Sequence, residues 1–261
     1  AIGRDRSLEI PERHLGLVPA NEASGPGTAD NVISRLADTV VAGVDLVRIF
    51  VLSGAASFPK ACLVISDRSQ SPVTVVKPKV RIAIARDAAF GFYYPDDLEA
   101  FAQAGAELIP FDTLSDQKLP EADGLFIGGG FPETHLRELS ANHSLLADIR
   151  QALVAGKPAY AECGGLMYLA CKIEWRGDSA EMVGFVPADV VVGHRPQGRG
   201  YMVVEETGES PWPNHATQIE SNEIPVHEFH YARLRNLAGD HTFSHRVLRG
   251  TGIDGTHDGL V

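Results

Sequence analysis

The stretch 157–170, Lys-Pro-Ala-Tyr-Ala-Glu-Cys-Gly-Gly-Leu-Met-Tyr-Leu-Ala, constrains the fold of this chain more than any other. It reads as a short strand, an abrupt turn carrying Cys163, and the first turns of an apolar helix. Gly164 and Gly165 directly after the cysteine allow a sharp bend and close packing of the helix on a sheet, the geometry of a nucleophile elbow. The thiol would then sit at a helix N-terminus, where the positive end of the dipole favours the thiolate, its nucleophilic form. The competing reading makes Cys163 a small buried hydrophobe.

The surrounding pattern alternates strands and helices. Residues 80–85 form a β-branched run suited to an interior parallel strand, and Pro95, Asp96 and Asp97 open a helix. Strands follow over 105–111 and 122–127, then the glycines 128–130, a helix over 135–155 with Gly156 as its C-cap, and the cysteine strand. Such alternation predicts an α/β fold with a parallel sheet. Beyond Ala170 short strands over 183–186, 190–192, 200–204 and 227–231 predict a mixed or antiparallel extension. Ahead of the sheet, residues 13–19 read as a strand and 30–50 as one long amphipathic helix with Asp30 as N-cap. Periodicity is lost over 66–79, and a linker is placed at 71–79, separating a first domain (1–70) from a second (80–261).

Composition narrows the chemistry. The 261 residues are 44% hydrophobic, enough to bury a core, and 34 acidic against 23 basic side chains give a net charge of −11. A chain of that charge repels nucleic acid and anionic membranes, so an anionic substrate needs local basic residues. Cys62, Cys163 and Cys171 show neither disulfide-framework nor metal-type spacing, which suits the reducing cytoplasm. No apolar run reaches membrane-spanning length.

In open parallel sheets, reacting groups gather outside the carboxyl ends of strands, where both Cys163 and Gly128–Gly130 fall. Backbone N–H groups of Gly129, Gly130 and Gly164 would then form an oxyanion hole, and acyl transfer is the natural chemistry. A thiolate needs a base, and His227 and His230 stand out because His-Glu-Phe-His-Tyr packs polar and aromatic residues into one strand. They are expected to shape the site, and no metal site is expected there. Arg86, Arg195 and Arg199, set among glycines and aromatics, suit a large flat ligand bearing carboxylates. No Gly-x-x-x-x-Gly-Lys-Ser/Thr loop occurs in the chain.

With these residues in hand, the chain resembles the cobyrinate (hydrogenobyrinate) a,c-diamide synthases, glutamine-dependent amidotransferases of the triad class. The resemblance is carried by residues 13–20, by Ala85-Arg86-Asp87-Ala88-Ala89-Phe90 with Tyr93-Tyr94-Pro95, by Ile127-Gly128-Gly129-Gly130-Phe131-Pro132-Glu133, by 161–169 and by His227-Glu228-Phe229-His230-Tyr231. It implies a flavodoxin-like glutaminase domain over 80–261 preceded by the tail of a phosphate-loop α/β domain over 1–70. It further implies Cys163 as nucleophile toward glutamine, ATP and Mg2+ as cofactors of the intact enzyme, none of them bound by the glutaminase domain, and an anionic tetrapyrrole as acceptor. A homodimer is compatible with it. The family's phosphate loop would precede Ala1, and the histidine activating the cysteine is expected beyond Val261. The family usually has glycine where Val226 stands and serine where Ala232 stands. Competing readings are amidation of sirohaem or sirohydrochlorin by the same chemistry, a stand-alone cysteine hydrolase or redox sensor, and a non-catalytic binding module.

Overall fold

A computed structural model describes Leu8 and residues 29–54, 80–211 and 223–261. The chain divides into two compact units, Ala1–Lys77 and Pro78–Val261. In the first, α1 (Ala29–Gly43) and α2 (Leu46–Gly54) replace the single helix expected over 30–50. Asp45 makes the break: its carboxylate accepts the Arg48 N–H at 2.9 Å and caps a new helix. Asp30, expected as a cap, lies inside α1. The strand expected over 13–19 and the linker over 71–79 lie outside the described residues.

The second unit runs β1 (Val80–Ala85), β2 (Phe90–Phe92), α3 (Pro95–Gln103), β3 (Ala106–Phe111), β4 (Gly124–Ile127), β5 (Gly129–Gly130), α4 (Leu136–Ala141), α5 (His143–Val154), β6 (Ala159–Ala161) and α6 (Gly164–Leu169). Strands β3-β1-β4-β6 form a wholly parallel sheet in that order. The fold is α/β, as the alternation predicts. Counting parallel strands alone, the order is second, first, third, fourth, and it reverses between β1 and β4. Open sheets of this kind bind ligands at that reversal. The C-terminal half of β1, Ala83 to Ala85, is the buried half, so the chain leaves the core there straight into the site.

Helix α3 starts as its sequence dictates, with Pro95 at its first turn and Asp96 and Asp97 facing the positive end of its dipole. The helix expected over 135–155 is divided at Asn142, whose Oδ1 caps α5 by accepting the Leu145 N–H. Its Nδ2 donates to the carbonyls of Thr113 (3.0 Å) and Asp116 (2.8 Å), tying this corner to the loop after β3. We expect Asn142→Ala to lower unfolding stability by about 2 kcal/mol, a lost cap plus stranded buried carbonyls, read as a lower urea midpoint at unchanged slope. At its far end α5 stops at Gly156, in the left-handed region (φ 86°), whose N–H returns to the Leu153 carbonyl.

After α6 come β7 (Lys172–Trp175), β8 (Asp178–Glu181), β9 (Asp189–Val192), β10 (Gly198–Glu206), β11 (Glu223–His230), β12 (Ala232–Arg235), β13 (Phe243–Arg249) and β14 (His257–Leu260). They build a mixed sheet, β12-β9-β7-β8, and an antiparallel one, β11-β10-β13-β14. Residues 183–186, expected as a strand, form none. Their N–H groups donate instead to the carbonyls of Tyr168, Leu169 and Ala170, satisfying acceptors that the end of α6 leaves open. One core, including Ile127, Leu139, Leu145, Ile149, Tyr168, Ile173 and Val190, runs beneath α5, α6 and the mixed sheet.

Candidate active site

Cys163 is the N-cap of α6 and adopts φ 52°, ψ −108°, a backbone conformation that L-residues avoid. Such strain costs roughly 1–3 kcal/mol and persists only where the surroundings enforce it. Here the Glu162 N–H donates to the Ile127 carbonyl (3.0 Å), tying the elbow to the end of β4, and the Gly165 N–H closes the turn on the Glu162 carbonyl (2.8 Å). A Cβ on Gly165 would run into the Ile127 carbonyl, so glycine lets α6 lie directly on the sheet. We expect Cys163→Gly to be more stable than Cys163→Ala by about 1 kcal/mol, because glycine alone removes the backbone strain; thermal midpoints of the two variants decide it.

The glycine loop faces this elbow. A Cβ on Gly164 would stand 2.9 Å from the Gly130 carbonyl oxygen and 3.0 Å from both Gly130 N and Pro132 Cδ, and one on Gly129 would stand 3.8 Å from the Cys163 Cβ. The loop is held from two sides. Strand β5 pairs antiparallel with β2, Phe90 opposite Gly130 and Phe92 opposite Gly129. The half-buried Tyr93 hydroxyl donates to the Ala85 carbonyl and accepts the Gly128 N–H at 3.0 Å. Desolvation pushes that phenol up to about 12, so it stays a donor. The Gly128 amide is thus committed to Tyr93, and Gly129 and Gly130 are the loop residues laid against the elbow.

Asp87 fixes the connection below. Its carboxylate accepts the N–H groups of Ala89 (2.7 Å), Phe90 (3.0 Å) and Thr113 (2.6 Å) and the Thr113 hydroxyl (2.7 Å). Burial raises its pKa and these four bonds pull it back. Sequence reasoning gave neither Asp87 nor Tyr93 a role; an aspartate two residues before an alanine amide after a strand is the Asx-turn signal that marks the first.

The sulfur's electrostatics differ from the expectation of a lowered pKa. Cys163 is open to solvent, yet protein crowds it closely enough that desolvation pushes the thiol up to about 11. The Gly164 N–H, hydrogen-bonded to the sulfur, pulls it down, and the charges of Glu133 and Glu162 push it up again. A helix of only six residues supplies too little dipole to reverse this. Glu133 lies in the 3-10 turn Pro132–His135 and is only 4% exposed; burial pushes its carboxyl up to about 7, its own backbone N–H opposing.

The remaining candidates sit on other elements. His230, half-buried on β11, directs Nδ1 to the Ala232 carbonyl (2.8 Å), with Nε2 3.5 Å from Glu228. Glu228 in turn accepts the N–H groups of Thr251 and Gly252. His227, on the exposed face of β11, meets Tyr201 edge to face. Arg199 is exposed on β10 opposite Phe229, Arg195 is exposed in the β9–β10 connection, and Arg86 is exposed at the end of β1 with its N–H on the Phe111 carbonyl. His135, in the turn Pro132–His135, has its Nε2 enclosed in protein.

A strained cysteine with glycine amides across from it is built for acyl transfer, and comparison with known proteins identifies which kind. The family model for the CobB/CobQ-like glutamine amidotransferase domain matches residues 81–261. The chain belongs to that family. As a glutamine amidotransferase domain it is similar to a cobyrinate a,c-diamide synthase of Magnetococcus marinus, 42% identical over all of this chain and 54% of that protein. A second relative of that name, from Methanosarcina acetivorans, is 36% identical over the same shares. The chain thus spans about half the length of the curated relatives it matches. Among solved structures, a glutamine amidotransferase of Thermotoga maritima matches with a TM-score of 0.44 and 18% identity, covering 70% of this chain and 71% of that one. Among the described residues no helix is long and apolar enough to cross a membrane.

Proposed function

We propose that this amidotransferase domain hydrolyses glutamine at Cys163 to supply ammonia for the a,c-diamidation of an anionic tetrapyrrole, cobyrinate or hydrogenobyrinate, in cobalamin biosynthesis in the cytoplasm. The observation that supports it most is the strained Cys163 at the start of α6 with the Gly129–Gly130 backbone laid against Gly164. The thiolate attacks the side-chain amide carbon of glutamine, forming a C–S bond. The Gly164 N–H, with Gly129 and Gly130, faces the oxygen that takes up the negative charge. When the C–N bond breaks, the proton taken from the thiol leaves on ammonia, and water then cleaves the thioester to glutamate and free thiol. His227 and His230 are occupied with Tyr201 and with Ala232 and Glu228, which fits a structural part and leaves the proton relay to another histidine.

The intact enzyme would use ATP and Mg2+ to activate the acceptor carboxylate. No Gly-x-x-x-x-Gly-Lys-Ser/Thr loop is present in these residues, and residues 1–70 would be the tail of the domain that holds the nucleotide. For the acceptor, the outer face of β10 and β11 sets Arg199 beside Phe229 and Tyr201 beside His227, and Tyr201 is 82% exposed. Aromatic faces next to a guanidinium suit a flat, carboxylate-bearing ring. Labelling of the full-length protein with a reactive glutamine analogue tests the nucleophile. Modification confined to Cys163, with loss of glutamine-dependent amidation, is expected; failure to modify Cys163 overturns the reading.

A further inference from the structure

We propose that Tyr93 is a positioning residue of the Cys163 site, its hydroxyl fixing where the Gly128–Gly130 loop stands against the elbow; this rests on the reading of Cys163 as a glutaminase nucleophile. The place of Tyr93 in the fold carries the inference. Strands β1 and β4, between which the sheet order reverses, are paired from Ile82 opposite Gly124 to Ile84 opposite Phe126. Just beyond that pairing, the Ala85 carbonyl and the Gly128 N–H are joined through the Tyr93 hydroxyl, which donates to the first and accepts from the second at 3.0 Å. Gly128 offers only a donor, so the one phenolic proton goes to Ala85. A side-chain oxygen thus stands in for a ladder bond where the ligand crevice of such a sheet opens.

The ring is held as firmly as the hydroxyl. It meets Phe126 of β4 edge to face (5.1 Å), and a Cβ on Gly128 would stand 2.5 Å from its Cε1 and 2.8 Å from its Cζ, so glycine lets the ring lie on the loop backbone. At the other end of the loop the Phe131 N–H donates to the Ala89 carbonyl (2.9 Å), in the turn that the Asp87 carboxylate holds. Gly129 and Gly130 lie between these two anchors. A Cβ on Gly129 would stand 3.8 Å from that of Cys163, so a shift of the Gly128 peptide is passed to backbone beside the sulfur. Stabilising the oxygen of a tetrahedral intermediate needs backbone that is fixed before the reaction, and a displacement of about 1 Å forfeits up to about a hundredfold in rate.

Tyr93→Phe in the full-length protein keeps the ring and removes the tie, and assays with glutamine and with iodoacetamide test its part. Attack on the glutamine amide builds negative charge on a carbonyl oxygen. Alkylation forms the C–S bond by displacing iodide and builds no such charge, so only the first reaction needs the loop in place. The kcat for glutamine hydrolysis should fall by about tenfold to a hundredfold with KM little changed, while Cys163 alkylation and ammonia-driven amidation keep their parental rates. Loss of packing alone would move KM, alkylation or ammonia-driven activity along with kcat, and that outcome overturns the proposal, as does a parental kcat. Should Tyr93→Phe fail to fold, hydrogen exchange of the Gly128 amide in the parent decides: protection in the substrate-free protein is expected, and an amide that exchanges freely there overturns the proposal. A parent protein that never hydrolyses glutamine sinks the glutaminase reading, and this proposal with it, whatever Tyr93→Phe does.

Discussion

Cys163→Ala in the full-length protein should lower glutamine-dependent amidation by about a thousandfold or more while leaving amidation driven by added ammonium salts near the parental rate. The asymmetry is the informative part. The thiol makes and breaks the only covalent bond to glutamine, so no neighbouring group substitutes for it. Ammonia enters after that step, and the sulfur makes no contribution to its capture. Parallel assays with glutamine and with ammonium chloride as nitrogen source separate the two. Equal loss of both activities would mean that the substitution damaged the fold or that Cys163 serves the acceptor, and retention of both would dismiss the nucleophile. Alanine at a backbone φ of 52° keeps the strain of the parent, so stability should change little and the comparison is clean.

Gly165→Ala should be among the most destabilising single substitutions, about 3–5 kcal/mol, with a thermal midpoint lower by roughly 10 °C. A Cβ at this position falls on the Ile127 carbonyl, backbone at the buried end of β4 that no rotamer change can move aside. Helix α6 must lift away, and Met167, Tyr168 and Leu169, all buried, lift with it. Gly156→Ala is the control. Its φ of 86° also favours glycine, but a Cβ there meets nothing within 4 Å, so only the conformational cost of about 1 kcal/mol applies. Similar losses for the two variants would show that the close approach of α6 to the sheet is not what Gly165 provides.

How far such features can be read from letters alone depends on where their cause lies. Strand β1 was legible to the residue because a β-branched run between two turns has few other uses in an α/β chain. The elbow was legible because two glycines after a cysteine serve one geometry, and the facing of Gly129 and Gly130 followed from the rule for strand ends. Residues 183–186 misled because their apolar composition suits a strand, whereas their amides are drawn to the open carbonyls of α6. Strand β14, His-Asp-Gly-Leu, has no strand composition at all and exists through its pairing with β13. Helical periodicity ran unbroken across Asn142 and Asp45, where a side chain competing for backbone amides ends one helix and starts the next. The raised thiol was the least visible feature. Its causes are desolvation and Glu133, a residue distant in sequence, and neither can be weighed until the turn after β5 has been placed.

The strained elbow also makes Cys163 a reporter on its own surroundings. In an unfolded chain a cysteine titrates near 8.5, well below the value of about 11 that the folded site imposes. Any excursion that unwinds the start of α6 releases the backbone strain and lowers the thiol pKa together, so reactivity rises during opening. The native state thus slows the sulfur through its protonation and not through enclosure. Its background labelling rate, in the absence of substrate, is then the sum of a slow reaction of the folded site and a faster one of any form in which the first turn of α6 has left the sheet.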